Sequence, residues 1–242
     1  MRSVVGIVGL VVAGACVATG CSRLLPPQSM SETKTLDQSV TSIKVAGRSG
    51  DVVVHGQPGL AKVTVQRTIT YHDGPPKQDT YHVDGGVLVL TGDCGSNCDV
   101  NYDIKAPAGL PVSGETSNGD VRLTNVGAVD VTTSSGTVDL TDVAGTVTAK
   151  SSNGEITGRG LHGGKVQATT DNGEINLTLR EAGDVTARTD NGDIRLAVPT
   201  GGYRVTTTTN NGHRKIGITE DPNGRNILDL GTDNGEITVV NA

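Results

Sequence analysis

A carboxylate follows a glycine repeatedly in the second half of this chain. With the glycine of each Asn-Gly or Ser-Gly pair as origin, the set is Gly119, Gly136, Gly154, Gly173, Gly192, Gly212 and Gly235. The residues after them are Asp120, Thr137, Glu155, Glu174, Asp193, His213 and Glu236, and Asp171, Asp190 and Asp233 stand two before. This line of acids is the best candidate for chemistry, because calcium takes several oxygen ligands. Glu155, Asp171, Glu174, Asp190 and Asp193 are the residues that a calcium reading uses. The GGxGxDxUx nonapeptide of calcium-binding rolls is missing, however. Acids splayed from exposed corners aid solubility without any ligand. The expectation is no metal and no cofactor.

Catalysis asks for more than repetition. Glycoside hydrolysis needs two carboxylates at a defined separation, one with its pKa raised by burial. Here the acids are interchangeable from repeat to repeat, and no unique pair stands out. A polysaccharide lyase needs a basic group near calcium, yet Lys150, Arg188 and Arg195 are scattered among Thr and Asn at equivalent positions. His55, His72, His82, His162 and His213 show no ligand spacing. Neither a G-x-S-x-G elbow nor a phosphate-binding loop motif occurs. The chain reads as a non-enzyme, with a carbohydrate-active β-helix as the alternative.

The elements that must position these residues are written in the same repeat, whose spacings run 17, 18, 19, 19, 20 and 23 residues. One before the glycine stand Asn118, Ser135, Asn153, Asn172, Asn191, Asn211 and Asn234. Three before it every residue is a hydroxyl: Thr116, Thr133, Ser151, Thr170, Thr189, Thr209 and Thr232. Seven before it is Val or Leu, and two after it is Val or Ile except at Arg214. Alternation on both sides of the glycine gives two short strands per repeat, each with one buried face. Asn-Gly supplies the positive φ angles of a sharp corner. Asn118, Gly119, Asn153, Gly154, Asn172, Gly173, Asn191, Gly192, Asn234 and Gly235 are therefore expected as structural turn residues.

Two architectures share the pattern. In an antiparallel meander each Asn-Gly closes a type I′ hairpin. In a parallel β-solenoid it marks a corner, and each repeat stacks on the next. A meander separates equivalent residues by two strands, so identity down a column brings no contact. A solenoid lays Thr on Thr and Asn on Asn, where ladders form. The solenoid is the expected fold and the meander its alternative. Residues 39–111 are less regular, with strand-like segments SIKVAG, KVTVQRTITY, GVLVLTG and VNYDIKAP. They read as a β cap over the first edge of the regular repeats in 112–242, with Gly50 as an isolated earlier member.

Composition agrees with an all-β chain. The 242 residues hold no Phe, no Trp and four Tyr, against 34 Gly. Without aromatics a wide core is hard to fill to normal density. A thin core between two sheets is filled by Val, Ile, Leu, Ala and Thr.

The N-terminus has Arg2, an apolar run from Val4 to Ala18, then small residues before Cys21. That is the layout of an export signal over residues 1–20. The run is shorter than the ~20 apolar residues that span a bilayer. VATGC resembles a lipobox, which makes Cys21 the lipidated first residue of the mature protein. Residues 21–38 then form a lipid-anchored flexible tether, and 39–242 a single domain on the outer face of a bacterial cell membrane. Losing Arg2 moves the net charge from −6 to about −7. An acidic domain argues against nucleic acid as partner. Cys94 and Cys98 bracket GSN, and outside the cytoplasm that spacing reads as a loop-stapling disulfide.

The stretch VNYDIKAPAGLPVSGETSNGDVRL, residues 100–123, followed by the NGD and NGE-Ile series, resembles a bacterial β-strand-repeat family of unknown function labelled as a candidate adhesin. The resemblance covers about residues 40–242. It implies a β-solenoid-type fold, an exported or membrane-attached chain and, by name alone, adhesion. It brings no catalytic residues. Flat faces rich in Thr, Asn, Asp and Arg suit extended polar partners such as cell-wall glycan or an envelope protein.

Overall fold

The computed structural model describes residues 26–242 apart from 73, 77 and 163, and its elements are all β-strands. Cys21 lies outside the described residues. Each corner glycine joins two strands and turns the chain from one sheet into the other. The Gly119 coil consists of Val112–Asn118 and Val121–Thr124, and the Gly136 coil of Val129–Ser135 and Val138–Thr141. The Gly154 coil follows with Val147–Asn153 and Ile156–Leu161, then the Gly173 coil with Lys165–Asn172 and Ile175–Leu179. The Gly192 coil is Asp184–Asn191 and Ile194–Val198. First strands lie side by side in a 10-stranded sheet and second strands in an 11-stranded sheet.

Pairing along this stack is parallel and in register. Thr170 sits between Ser151 and Thr189, and Ile175 between Ile156 and Ile194. The fold is a β-solenoid. The meander fails because no Asn-Gly closes a hairpin between hydrogen-bonded partners. Inward columns such as Val129, Val147, Val166 and Val185, and Ile156, Ile175 and Ile194, are buried. Each such side chain contributes roughly 1.5–3 kcal/mol.

The corner glycines meet the expected angular demand at most corners, and a second, steric demand acts beside it. Gly50 has φ of 107° and Gly119, Gly136, Gly192 and Gly235 have φ of 146–159°, positive as expected, whereas none of the preceding asparagines has positive φ. The neighbouring coil also excludes a side chain, including at Gly154 and Gly173, which lack positive φ. A Cβ on Gly136 would lie 2.1 Å from the Gly119 carbonyl oxygen, and one on Gly173 would lie 2.2 Å from that of Gly154. The same approach recurs at Gly119, Gly154, Gly192 and Gly235, at 1.9–2.1 Å. Glycine stacks on glycine because strand spacing leaves no room for a methyl group there.

The two ends depart from chain order. Gly50 is a full member of the stack: its coil, Ser42–Ser49 and Val52–Gln57, pairs in parallel with the Gly119 coil although 69 residues separate the two glycines. Beyond it lie Val87–Leu90 and Cys98–Pro107, also parallel, and then antiparallel strands Thr64–Tyr71 and Tyr81–Asp84. The outermost strand of the larger sheet at this end is Gln28–Thr35. Residues 28–38 are thus not the flexible tether expected from their polar sequence: eight form an edge strand, and Leu36 is buried. An edge strand exposed on most positions needs no apolar alternation, so the pattern was silent.

At the other end the last two coils exchange places. The Gly235 coil, Asn226–Asn234 and Ile237–Asn241, pairs directly with the Gly192 coil. The Gly212 coil, Tyr203–Asn211 and Arg214–Ile216, lies outside it as the end of the stack. Arg214 explains the order. It occupies the inward column, in register with Ile237, and a guanidinium there is tolerable only where no further coil covers it.

The steric account of the corners separates two kinds of glycine. Gly59 has φ of +79° with nothing within 4 Å of where a Cβ would stand, whereas Gly173 lacks positive φ and meets a carbonyl. Gly173→Ala should cost about 3 kcal/mol through forced backbone shifts, and Gly59→Ala about 1 kcal/mol. Chemical denaturation of both variants checks this. The reverse ranking would restore the turn-angle explanation.

Candidate functional site

Three polar columns meet at the corner, and each is tied to the next coil. The hydroxyl three before the glycine donates to the corner carbonyl of the adjacent coil. Thr133 reaches Gly119 O at 3.3 Å, Ser151 reaches Gly136 O at 3.1 Å and Thr170 reaches Gly154 O at 3.0 Å. Thr189 reaches Gly173 O at 3.0 Å, Thr232 reaches Gly192 O at 2.9 Å and Thr209 reaches Gly235 O at 3.1 Å. The expected Thr-on-Thr ladder is therefore a hydroxyl-to-backbone ladder instead. Thr116, at the seam with the Gly50 coil, breaks it: its hydroxyl is buried and unpaired.

Asparagines do bond to one another. Asn172 Nδ2 donates to Asn153 Oδ1, Asn191 to Asn172, Asn234 to Asn191 and Asn211 to Asn234, at 2.9–3.2 Å. Asn153 ends the ladder on Ser134 O at 3.3 Å, because Ser135 offers no amide. Asn118 takes no part in this ladder; its carbonyl accepts from Gly50 N at 2.8 Å.

The acids are not simply splayed into solvent. Asp51 Oδ1 accepts from the amide of Asp120 at 2.9 Å, Asp120 Oδ1 from that of Thr137 at 2.8 Å, and Asp193 Oδ1 from that of Glu236 at 2.8 Å. Where Glu stands, the longer arm turns outward. Glu155 accepts from Thr157 at 2.7 Å and Asn176 at 2.9 Å, and Glu174 pairs with Arg195 at 2.6 Å. Arg195 also reaches Asp193 at 2.8 Å. These donors occupy part of the oxygen set that a calcium ion would draw on. Asp171 and Asp190 lie apart from them, exposed on the first strands. Among the described residues no group of three or more His, Cys, Asp or Glu is placed to hold a metal.

Protonation follows this bonding. Burial pushes the Asp120 carboxyl up, but the Thr137 amide and hydroxyl and the Arg122 guanidinium outweigh it and hold the group below the ordinary range. Hydrogen bonds from Asn176 and Thr157 hold Glu155 below its ordinary value, against some desolvation. Neither is a proton donor poised near neutrality. Cys94 and Cys98 are joined by a disulfide at the loop leading into Cys98–Pro107.

This chain belongs to the Toastrack DUF4097 family. The family match spans residues 98–240, more than half of the sequence. The Gly50 coil lies outside that span yet belongs to the same Toastrack stack. Two solved structures share the fold. One is from Bacteroides fragilis NCTC 9343, at 15% identity, covering 87% of this chain and 97% of that one with a TM-score of 0.52. Another, from Parabacteroides distasonis ATCC 8503, has 13% identity, 87% and 97% coverage and a TM-score of 0.51. Both are described as candidate adhesins. No protein of curated function matches the chain in sequence.

Carboxylates held below their ordinary pKa stabilise the fold above about pH 4, the unfolded value, and that contribution is lost as pH falls through the folded value. The melting temperature should therefore fall steeply in acid. In an Asp120→Asn, Glu155→Gln double variant the fall should be shallower, because two of the groups that protonate are gone. Parallel melting-temperature curves for variant and wild type from pH 6 to about 2 would contradict the assignment.

Proposed function

We propose that this Toastrack domain is a non-catalytic interaction module, displayed outside a bacterial cell on a lipid at Cys21 and binding cell-wall glycan or an envelope protein. The observation that carries the reading is the use of the repeated polar groups. Hydroxyls, amides and corner carboxylates bond from coil to coil, so they serve as structure and not as reacting groups. The side chains that vary from coil to coil are the outward ones, including Arg122, Asp139, Thr157, Asn176, Arg195 and Lys215. A rigid stack with a variable face is a binding architecture. The name borne by the two solved relatives agrees with that role, and the basic, apolar and small layout before Cys21 supports the anchor.

Residues 26–242, which include the edge strand, are immobilised and exposed to envelope extract, with glycan and protein fractions assayed separately. Saturable capture of one fraction is expected. No capture above bare matrix from either fraction would defeat the reading. Separately, a clickable fatty acid should label the wild type and not Cys21→Ala. Equal labelling would remove the anchor.

A further inference from the structure

Most arginines along the body of the stack are occupied, Arg48 of the Gly50 coil excepted. Arg159 pairs with Asp139 at 3.0 Å, Arg188 with Asp229 at 2.6 Å, Arg195 with Glu174 and Asp193, and Arg122 with Asp120. The free end differs. Arg204, Arg214, Lys215 and Arg225 are exposed there and form no ion pair among the described residues, and His213 stands beside them. The acids in the same segment are Glu220 and Asp221, and Asp221 Oδ1 already accepts from the amide of Asn223 at 2.9 Å. Four cations without an ion pair thus stand against two acids in residues 203–225, within a chain whose net charge is negative.

That end also carries a cleft of about 580 Å³ lined by Val205, Thr206, Thr207, Arg214, Ile216 and Glu220. A peptide adding to the edge strand Tyr203–Asn211 would need its open carbonyls. Two are taken by the chain itself: Tyr203 O accepts from the Asp221 amide at 2.8 Å, and Thr207 O from Arg214 Nη1 at 3.3 Å. Side-chain donors remain, in the form of guanidinium forks and a run of threonine hydroxyls. Guanidinium forks match the oxygens of phosphate groups. This end lies across the sheet from Gln28–Thr35, ten strand spacings or roughly 48 Å away at about 4.8 Å each. A chain anchored through its N-terminus would present it outward.

We propose that the Gly212 end of the stack is a binding site for a phosphate-bearing polyanion of the cell envelope. The acidic body repels such a polymer along its sides, so the tip is the approach that charge allows. This inference rests on the interaction-module reading and names the partner class.

The test uses the full chain purified in detergent, with inorganic polyphosphate as probe and polyglutamate as the peptide comparison, titrated at 0.1 M salt. Wild type should bind polyphosphate. Arg204→Gln with Arg225→Gln should weaken binding at least about tenfold with an unchanged melting temperature. Lys150→Gln, which removes an unpaired cation from the body, should leave it unchanged. Equal polyphosphate binding by the double variant, no binding by wild type, or equally tight polyglutamate binding would each overturn the proposal. Envelope capture separates the two readings. If the double variant is captured as well as wild type, the tip site fails and the module stands; if wild type itself captures nothing, the module fails.

Discussion

Coils of this protein can stack at strand spacing only where the corner carries no side chain. The glycine carbonyl of one coil sits where the Cβ of the next would be, and a hydroxyl three residues upstream in that next coil donates to the same oxygen. Sterics and hydrogen bonding therefore act on one atom. The carbonyl would otherwise be a poorly satisfied buried acceptor at a bend in the sheet. Closing it from the side chain lets both sheets run through the corner without a break, and the backbone bond from Gly173 N to Asn191 O, at 3.0 Å, continues the ladder. From that single arrangement follow the fixed column of Thr or Ser, the fixed glycine and the flat Asn ladder beside it.

A stack must also end. Both ends of the thin core carry an arginine on an inward-facing position. Arg67 shares a face with Val65 and Ile69, pairs with Glu32 at 2.6 Å, donates to Thr80 Oγ1 at 3.0 Å and lies 5.5 Å from the centre of the Tyr81 ring. Arg214 plays the corresponding part at the far end, donating to Thr207 O. Inward-pointing charge on the terminal strand Arg214–Ile216 discourages another chain from continuing the sheet, whereas Arg67 lies one strand in from the edge Gln28–Thr35. Tyr203 and Tyr102, both buried, fill the space near those ends, and their hydroxyls donate to Pro199 O and Thr80 O.

The stack was legible in the sequence because parallel in-register pairing makes column identity a contact. Thr170 could be matched with Ser151 and Thr189 before any coordinates. The steric purpose of the glycine was not legible, since positive φ and close approach select the same residue and only geometry between coils tells them apart. The order of the last coils was hidden for a related reason. Gly212 and Gly235 both keep the motif, and chain order placed them in sequence. Arg214 in an otherwise aliphatic column was the one mark of an end coil. The acids carried a mixed message. An Asp at the corner is short enough to accept from the next backbone amide, as Asp120 does, whereas Glu174 reaches past it to Arg195. Residue type distinguishes these roles, but only once the orphan amide is seen. Gln28–Thr35 left no periodic trace at all.

The hydroxyl-to-glycine bond is tested most directly by comparing two threonines of the same column. Thr170 donates to Gly154 O, whereas Thr116 is buried with its hydroxyl unpaired. Each is replaced by Val, which keeps the shape and removes the hydroxyl, and unfolding free energies are measured in urea. Thr170→Val should cost about 1–2 kcal/mol, because a buried carbonyl loses its partner. Thr116→Val should be neutral or stabilising by up to about 1 kcal/mol, because an unsatisfied hydroxyl is removed. Equal losses at both positions would contradict the account.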